Sequence, residues 1–183
     1  MTASKQDQII LSPIGEFSSV LLDAVARTIS DTFGLETVLS PVLQDIEFAR
    51  DPARNQYHST SILQKLAERA PSRAVKVAAL CRVDLFIPIL TYVYGEAQLN
   101  GRTCIISSYR LEEGLVGSEP TERFISRMAK ETVHELGHTF DLRHCPDPVC
   151  LMHYCRDESD VDHKSDQFCR YCKVLLGDAI GNL

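Results

Sequence analysis

"TVHELGHTFDLRHC", residues 132–145, holds three histidines, a glutamate between the first two, and a cysteine against the third. His134 and His138 stand four residues apart in a segment whose apolar residues recur at helical spacing. Their imidazoles therefore lie on one helix face, one turn apart. Two ring nitrogens placed so can reach one Zn²⁺ at about 2.0–2.1 Å. Glu135, rotated by one position, is set to reach a water on that metal without occupying it. His144 follows six residues after His138. A straight helix would carry it about 9 Å further along the axis, so the helix must end and the chain must turn back. The turn is expected near Asp141, in left-handed geometry. Gly serves best there, and Asp and Asn are the tolerated substitutes.

The surrounding chain reads as a scaffold for that helix. "QIILSPIG" (8–15) is a short apolar run closed by Pro and Gly, a strand. "EFSSVLLDAVARTISDTFG" (16–34) places Phe17, Val20, Leu21, Ala24, Val25, Ile29 and Phe33 at helical spacing before Gly34 stops it. "LETVLSPVL" reads as a second strand, "ILQKLAERA" as a short amphipathic helix, and "AVKVAALCRVDLF" as a buried strand. This alternation predicts an α/β domain with mainly parallel pairing. After Pro88, "TYVYGEAQL" and "TCIISSYRL" flank Asn100-Gly101, a hairpin signal in which both turn residues are expected at positive φ. One of these strands is then antiparallel and lies at the sheet edge. "SEPTERFISRMAKETVHELGHTF" follows, with Ser118 or Thr121 as cap, Glu122 in the first turn, and Phe124, Met128, Val133 and Leu136 facing the sheet. "CRYCKVLLGDAI" closes the chain as a short helix.

The 183 residues are expected to form a single domain: 9–117 the strand, helix and hairpin part, 118–140 the metal-binding helix, and 141–183 a Cys-rich end. Hydrophobic residues make up 44 % and charged residues 24 %, ordinary values for a globular protein that buries a core without disulfides. The net charge of −6 argues against nucleic acid as a partner. No apolar run is long enough to span a bilayer, so no membrane partner is expected. The start of the chain lacks the basic, then apolar, pattern of a secretory signal. No pro-segment is expected, a cytoplasmic location is, and a monomer is.

Seven cysteines is an odd number, so they cannot all pair. In a reducing compartment clustered cysteines are more often metal ligands than disulfides. Cys81 and Cys104 lie in apolar strand-like runs and read as core residues. Cys145 and Cys150 form one close pair, Cys169 and Cys172 another. Four thiolates in two pairs match a tetrahedral zinc site. A redox Cys-x-x-Cys pair usually opens a helix after a strand, whereas a polar, acidic loop precedes this one. Cys155 is the rival for a ligand position, with His153 and His163 behind it.

"HELGHTFDLRH" resembles the elongated zinc motif of the metzincin metallopeptidases, His-Glu-x-x-His-x-x-Gly-x-x-His, matching every ligand position and departing only at Asp141. That family also carries a methionine in a tight turn beneath the metal. Met152 stands at a suitable distance in "CLMHYC". Met-x-Tyr resembles the turn of astacin-like metzincins, which implies that the Tyr154 hydroxyl approaches the metal and helps the oxyanion. The combination "HELGHTFDLRHC", "CLM" and "CRYC", spanning 134–172, resembles the archaemetzincins. This implies a compact metzincin-like fold with a mixed sheet, a catalytic zinc and a second, structural zinc.

The expected chemistry is zinc-dependent hydrolysis of peptide bonds in a peptide or protein substrate. His134, His138 and His144 would be the catalytic-zinc ligands and Glu135 the general base, with Cys145, Cys150, Cys169 and Cys172 on the structural zinc. An extended substrate would pair with the edge strand near Asn100-Gly101. The rival function is a non-catalytic or weakly catalytic zinc-binding module that recognises peptides.

Overall fold

The computed structural model describes residues 8–112 and 120–182. Strand β1 (Gln8–Pro13) leads into helix α1 (Ser19–Phe33), and β2 (Glu36–Leu39) lies parallel beside β1. Gly34, at φ 67°, ends α1 with its N–H on the Ser30 carbonyl, the left-handed stop that glycine allows without steric cost. Next come β3 (Arg50–Asp51), β4 (Gln56–His58), α2 (Ser59–Arg69), β5 (Ala74–Cys81) and β6 (Leu85–Phe86). The hairpin strands β7 (Gly95–Ala97) and β8 (Thr103–Ser107) precede α3 (Glu122–Thr139), α4 (Glu158–His163) and α5 (Arg170–Gly181).

The main sheet has the order β2-β1-β5-β8-β7. All its pairs are parallel except β7 with β8, so the antiparallel edge strand is where the hairpin signal put it. A second sheet, β3-β4-β6, was not legible, because strands of two or three residues are too short to show a period of two. Side chains alternate across the central strands and are buried on both sides. Ile9, Leu11, Ala78, Leu80 and Ile106 face α1 and α3, while Ile10, Val77, Ala79 and Ile105 face α2. Such double burial is what parallel strands with helices on both faces require. Cys81 and Cys104 are core residues, 1 % and 0 % exposed.

Two expectations are corrected. Val20 is exposed, because only Leu21, Val25, Ile29 and Phe33 of α1 point inward. In the hairpin, Asn100 takes φ 53° but Gly101 stays outside the left-handed region. The turn is a wider loop in which Gly101 N–H bonds the Gln98 carbonyl, so only one residue need reverse. This loop docks on the end of α3. Asn100 N–H donates to the His138 carbonyl at 3.0 Å, and Lys76 Nζ on β5 donates to the carbonyls of Gly101 and Thr139. A cation at the C-terminal end of a helix complements its dipole. Thr121 caps the other end, its hydroxyl accepting from Phe124 N–H. Ser118, the alternative cap, lies outside the described residues.

Candidate metal centre

Helix α3 carries His134, Glu135 and His138 and then stops as the sequence demanded. Asp141 takes φ 65°. Its N–H bonds the His138 carbonyl and that of Leu142 bonds the Gly137 carbonyl, the paired bonds of a left-handed helix stop. The chain then doubles back and delivers His144. The ligand nitrogens of His134, His138 and His144 all lie within 4.8 Å of one another.

Two of the rings are pinned from behind. His134 Nδ1 donates to the Leu151 carbonyl at 2.9 Å and His138 Nδ1 to the Leu142 carbonyl at 2.7 Å. A carbonyl only accepts, so each Nδ1 carries the proton and each Nε2 presents a lone pair. The two Nε2 atoms are 3.2 Å apart. Two acceptors so close repel unless a cation lies between them. Nitrogens bound to zinc at about 2.0–2.1 Å in a tetrahedron would be ~3.3 Å apart. Burial, above all, holds His134 well below the ordinary histidine range and brings His138 down to about 4; the same cause lowers His144. Neutral rings are the form that ligates metal. Burial falls from His134 through His138 to the exposed His144, so one side of the set stays open.

Met152 packs against α3 at Gly137, between the two helix histidines. A methyl added at Gly137 would come within 2.7 Å of Met152 Sδ, so the glycine between the two helix histidines is needed for close approach, not for its dihedrals. The sulfur fits against bare helix backbone.

Four sulfurs make the second set. Cys145, Cys150, Cys169 and Cys172 Sγ lie within 4.8 Å of one another, with Cys145 to Cys169 at 3.8 Å and Cys150 to Cys172 at 3.7 Å. A disulfide would need about 2.05 Å. The edge of a ZnS₄ tetrahedron with Zn–S near 2.3 Å is ~3.8 Å. Cys169 opens a helix, as the N-cap of α5, but a loop after α4 rather than a strand leads into it. The sulfur spacing points the same way. The backbone N–H of Cys172 brings the Cys169 thiol down to about 7, whereas burial raises the thiols of Cys145 and Cys172. Cys155 stands apart from the four sulfurs and lines the cleft on the histidine side. His153 Nδ1 donates to the Cys145 carbonyl, and His163 Nδ1 to the Ser159 carbonyl.

A cleft of about 360 Å³ runs between β7 and α3. Gly95, Glu96 and Ala97 line one wall, and Glu135 and the three histidines the other. β7 ends the sheet, so its outer edge is unpaired among the described residues. Glu135 is 7 % exposed, and burial first, then the neighbouring Glu131, pushes its carboxyl well above the usual range. Gly95 packs directly on it: an added methyl would sit 2.7 Å from Glu135 Cγ and 2.8 Å from the Ile105 carbonyl. Tyr154, about half exposed, turns its ring edge-on to His144 at 5.2 Å.

A family model described as Peptidase family M54 matches residues 51–177, which contain both donor sets. The chain belongs to peptidase family M54. The archaemetzincin of Pyrococcus furiosus is 33 % identical over 96 % of this chain and 95 % of its own length. That of Methanopyrus kandleri is 35 % identical over 86 % and 87 %. The crystal structure of the Methanopyrus kandleri archaemetzincin superposes with a TM-score of 0.82 at 29 % identity, covering 98 % of both chains. A zinc-dependent peptidase from Methanocorpusculum labreanum gives 0.82 at 26 % identity, covering 92 % of this chain and 99 % of its own. The fold, the two metal-binding sets and membership of a zinc metallopeptidase family therefore agree.

In this M54 peptidase the two sets share backbone. His144 and Cys145 are adjacent, and Cys145 N–H donates to the Met152 carbonyl. Cys150 leads into Leu151, whose carbonyl holds His134, and Leu151 N–H bonds the Gln167 carbonyl two residues before Cys169. The Cys-bound segment thus orients two histidines, an outer support of the kind that sets metal affinity. Cys145→Ser is expected to weaken zinc retention at the histidine set by about 10–100-fold as well as to loosen the sulfur set. Chelator competition reads both; unchanged retention by the histidines would break the coupling.

Two residues of this site were missed by sequence reading. Gly95 gave no signal, since its role depends on what packs against it. Glu131 did give one: it stands one turn before Glu135 on the same face of α3.

Proposed function

We propose that this M54 peptidase cleaves extended peptides in the cleft between β7 and α3. In this reading His134, His138 and His144 hold the catalytic zinc and Glu135 is the general base. Cys145, Cys150, Cys169 and Cys172 hold a structural zinc. The observation that carries the reading is the 3.2 Å approach of two histidine Nε2 lone pairs beside Glu135 in an open cleft. When bound, the zinc supplies a Lewis acid that brings a water's pKa towards about 7 and polarises a carbonyl. The Glu135 carboxylate takes the proton of the attacking water and hands it to the leaving nitrogen. The Tyr154 hydroxyl, at the open side of His144, donates to the developing oxyanion. The unpaired edge of β7 accepts the substrate as an added strand, and Ile87 and Leu90 at the cleft favour apolar substrate side chains. Low exposure of Glu135 keeps bulk water from its carboxylate.

Among the described residues no helix is long and apolar enough to cross a membrane. The proposal includes a monomer in the cytoplasm, since thiolate ligands persist in a reducing compartment. The test is turnover. The zinc-loaded chain should release new amino termini from a mixed peptide library, and chelation followed by added zinc should switch this off and on. Peptides retained on the zinc-loaded chain without cleavage would favour the recognition module instead.

A further inference from the structure

Lys164 is the largest fully buried side chain among the described residues, 0 % exposed, behind the histidine set. Its Nζ lies 2.6 Å from Glu131 Oε1 and 3.4 Å from His134 Nδ1. The Nδ1 proton is already given to the Leu151 carbonyl, and an ammonium cannot accept, so the contact with His134 is one of proximity and charge. Glu131 is 5 % exposed. It sits on α3 three residues before His134 and four before Glu135, on the face that carries the site.

Around Lys164 the chain is stitched to both donor sets. Its carbonyl accepts from Lys130 Nζ on α3, and its N–H bonds the carbonyl of Asp160 within α4. Ser165 N–H bonds the Val149 carbonyl, and the Gln167 carbonyl receives Leu151 N–H. The 164–167 segment therefore runs beside the residues that present Cys150 and the carbonyl holding His134. Burying two charges is expensive, and apolar residues of similar volume usually serve the fold as well or better. A pair kept here, against a ligand ring, is not needed to fill space.

We propose that Lys164 and Glu131 are positioning residues of the histidine metal set: their buried ion pair ties the α3 turn bearing His134 and Glu135 to the 164–167 segment. This rests on the zinc-peptidase reading above, and wild-type turnover and zinc content control for that reading. The experiment compares Lys164→Met with the double variant Lys164→Met/Glu131→Met. It measures the unfolding midpoint, zinc release to a chelator and kcat and KM. The single variant, with a carboxylate unpaired, should release the histidine-bound zinc about 10–100-fold more readily. The double variant should regain the wild-type unfolding midpoint. It should keep its sulfur-bound zinc but still lose histidine-bound zinc faster, with kcat reduced more than KM is raised. Recovery of wild-type zinc retention and kcat in the double variant would overturn the assignment. So would a single variant unchanged in both, or a double variant that fails to fold. A wild-type chain without zinc-dependent turnover would sink the reading of function but leave the zinc-release comparison intact.

Discussion

His144→Ala is expected to take the zinc content from two ions per chain to one and to cut peptide hydrolysis by ~10³-fold. The magnitude follows from losing about 4 kcal/mol of metal-supplied transition-state stabilisation, at 1.36 kcal/mol per tenfold. The loss should be selective. His144 is exposed at the open side of the set and contributes nothing to either core cluster, so the fold has little to lose. The sulfur set is complete without it. The remaining zinc should resist chelation as in the wild type. Metal analysis beside the unfolding midpoint checks this. Loss of both ions, or retention of both, would contradict separate sites.

Gly95→Ala is expected to lower kcat/KM by about 10²-fold with zinc content unchanged, the scale on which displacing a catalytic group by an ångström acts. The glycine has no unusual dihedral, so its need is steric. The new methyl meets Glu135 Cγ at 2.7 Å on one side and the rigid carbonyl of Ile105 at 2.8 Å on the other. Ile105 belongs to β8, which is paired on both sides and cannot yield, so Glu135 or the β7 edge must move. Either shift degrades the meeting of base and substrate strand. Wild-type kcat/KM would show that Glu135 moves without consequence, against the role given to it.

The parts of this protein that obey a local rule were legible. The spacing of His134, His138 and His144 required a helix and a reversal, and Asp141 makes that reversal at φ 65°. Four of the five cysteines near the end fell into two close pairs, and those pairs meet. The hairpin and its edge position followed from Asn100-Gly101, although the loop proved wider than a two-residue turn. What stayed hidden depends on contacts between distant segments. A lysine in "DHKSDQF" looks solvated, and only the packing of 164–167 against α3 buries it on Glu131. Gly95 looks like any strand glycine until α3 is laid across it. Strands β3, β4 and β6 are recognisable only by their partners.

The most direct measurement of the central claim is turnover of a mixed peptide library by the zinc-loaded chain and by Glu135→Gln at matched zinc content. Glutamine keeps the shape of the side chain and removes its ability to take a proton. The wild type should cleave, and the variant should be slower by about 10²–10⁴-fold while holding both zinc ions. The same fragments released at the same rate by both proteins would contradict Glu135 as the base.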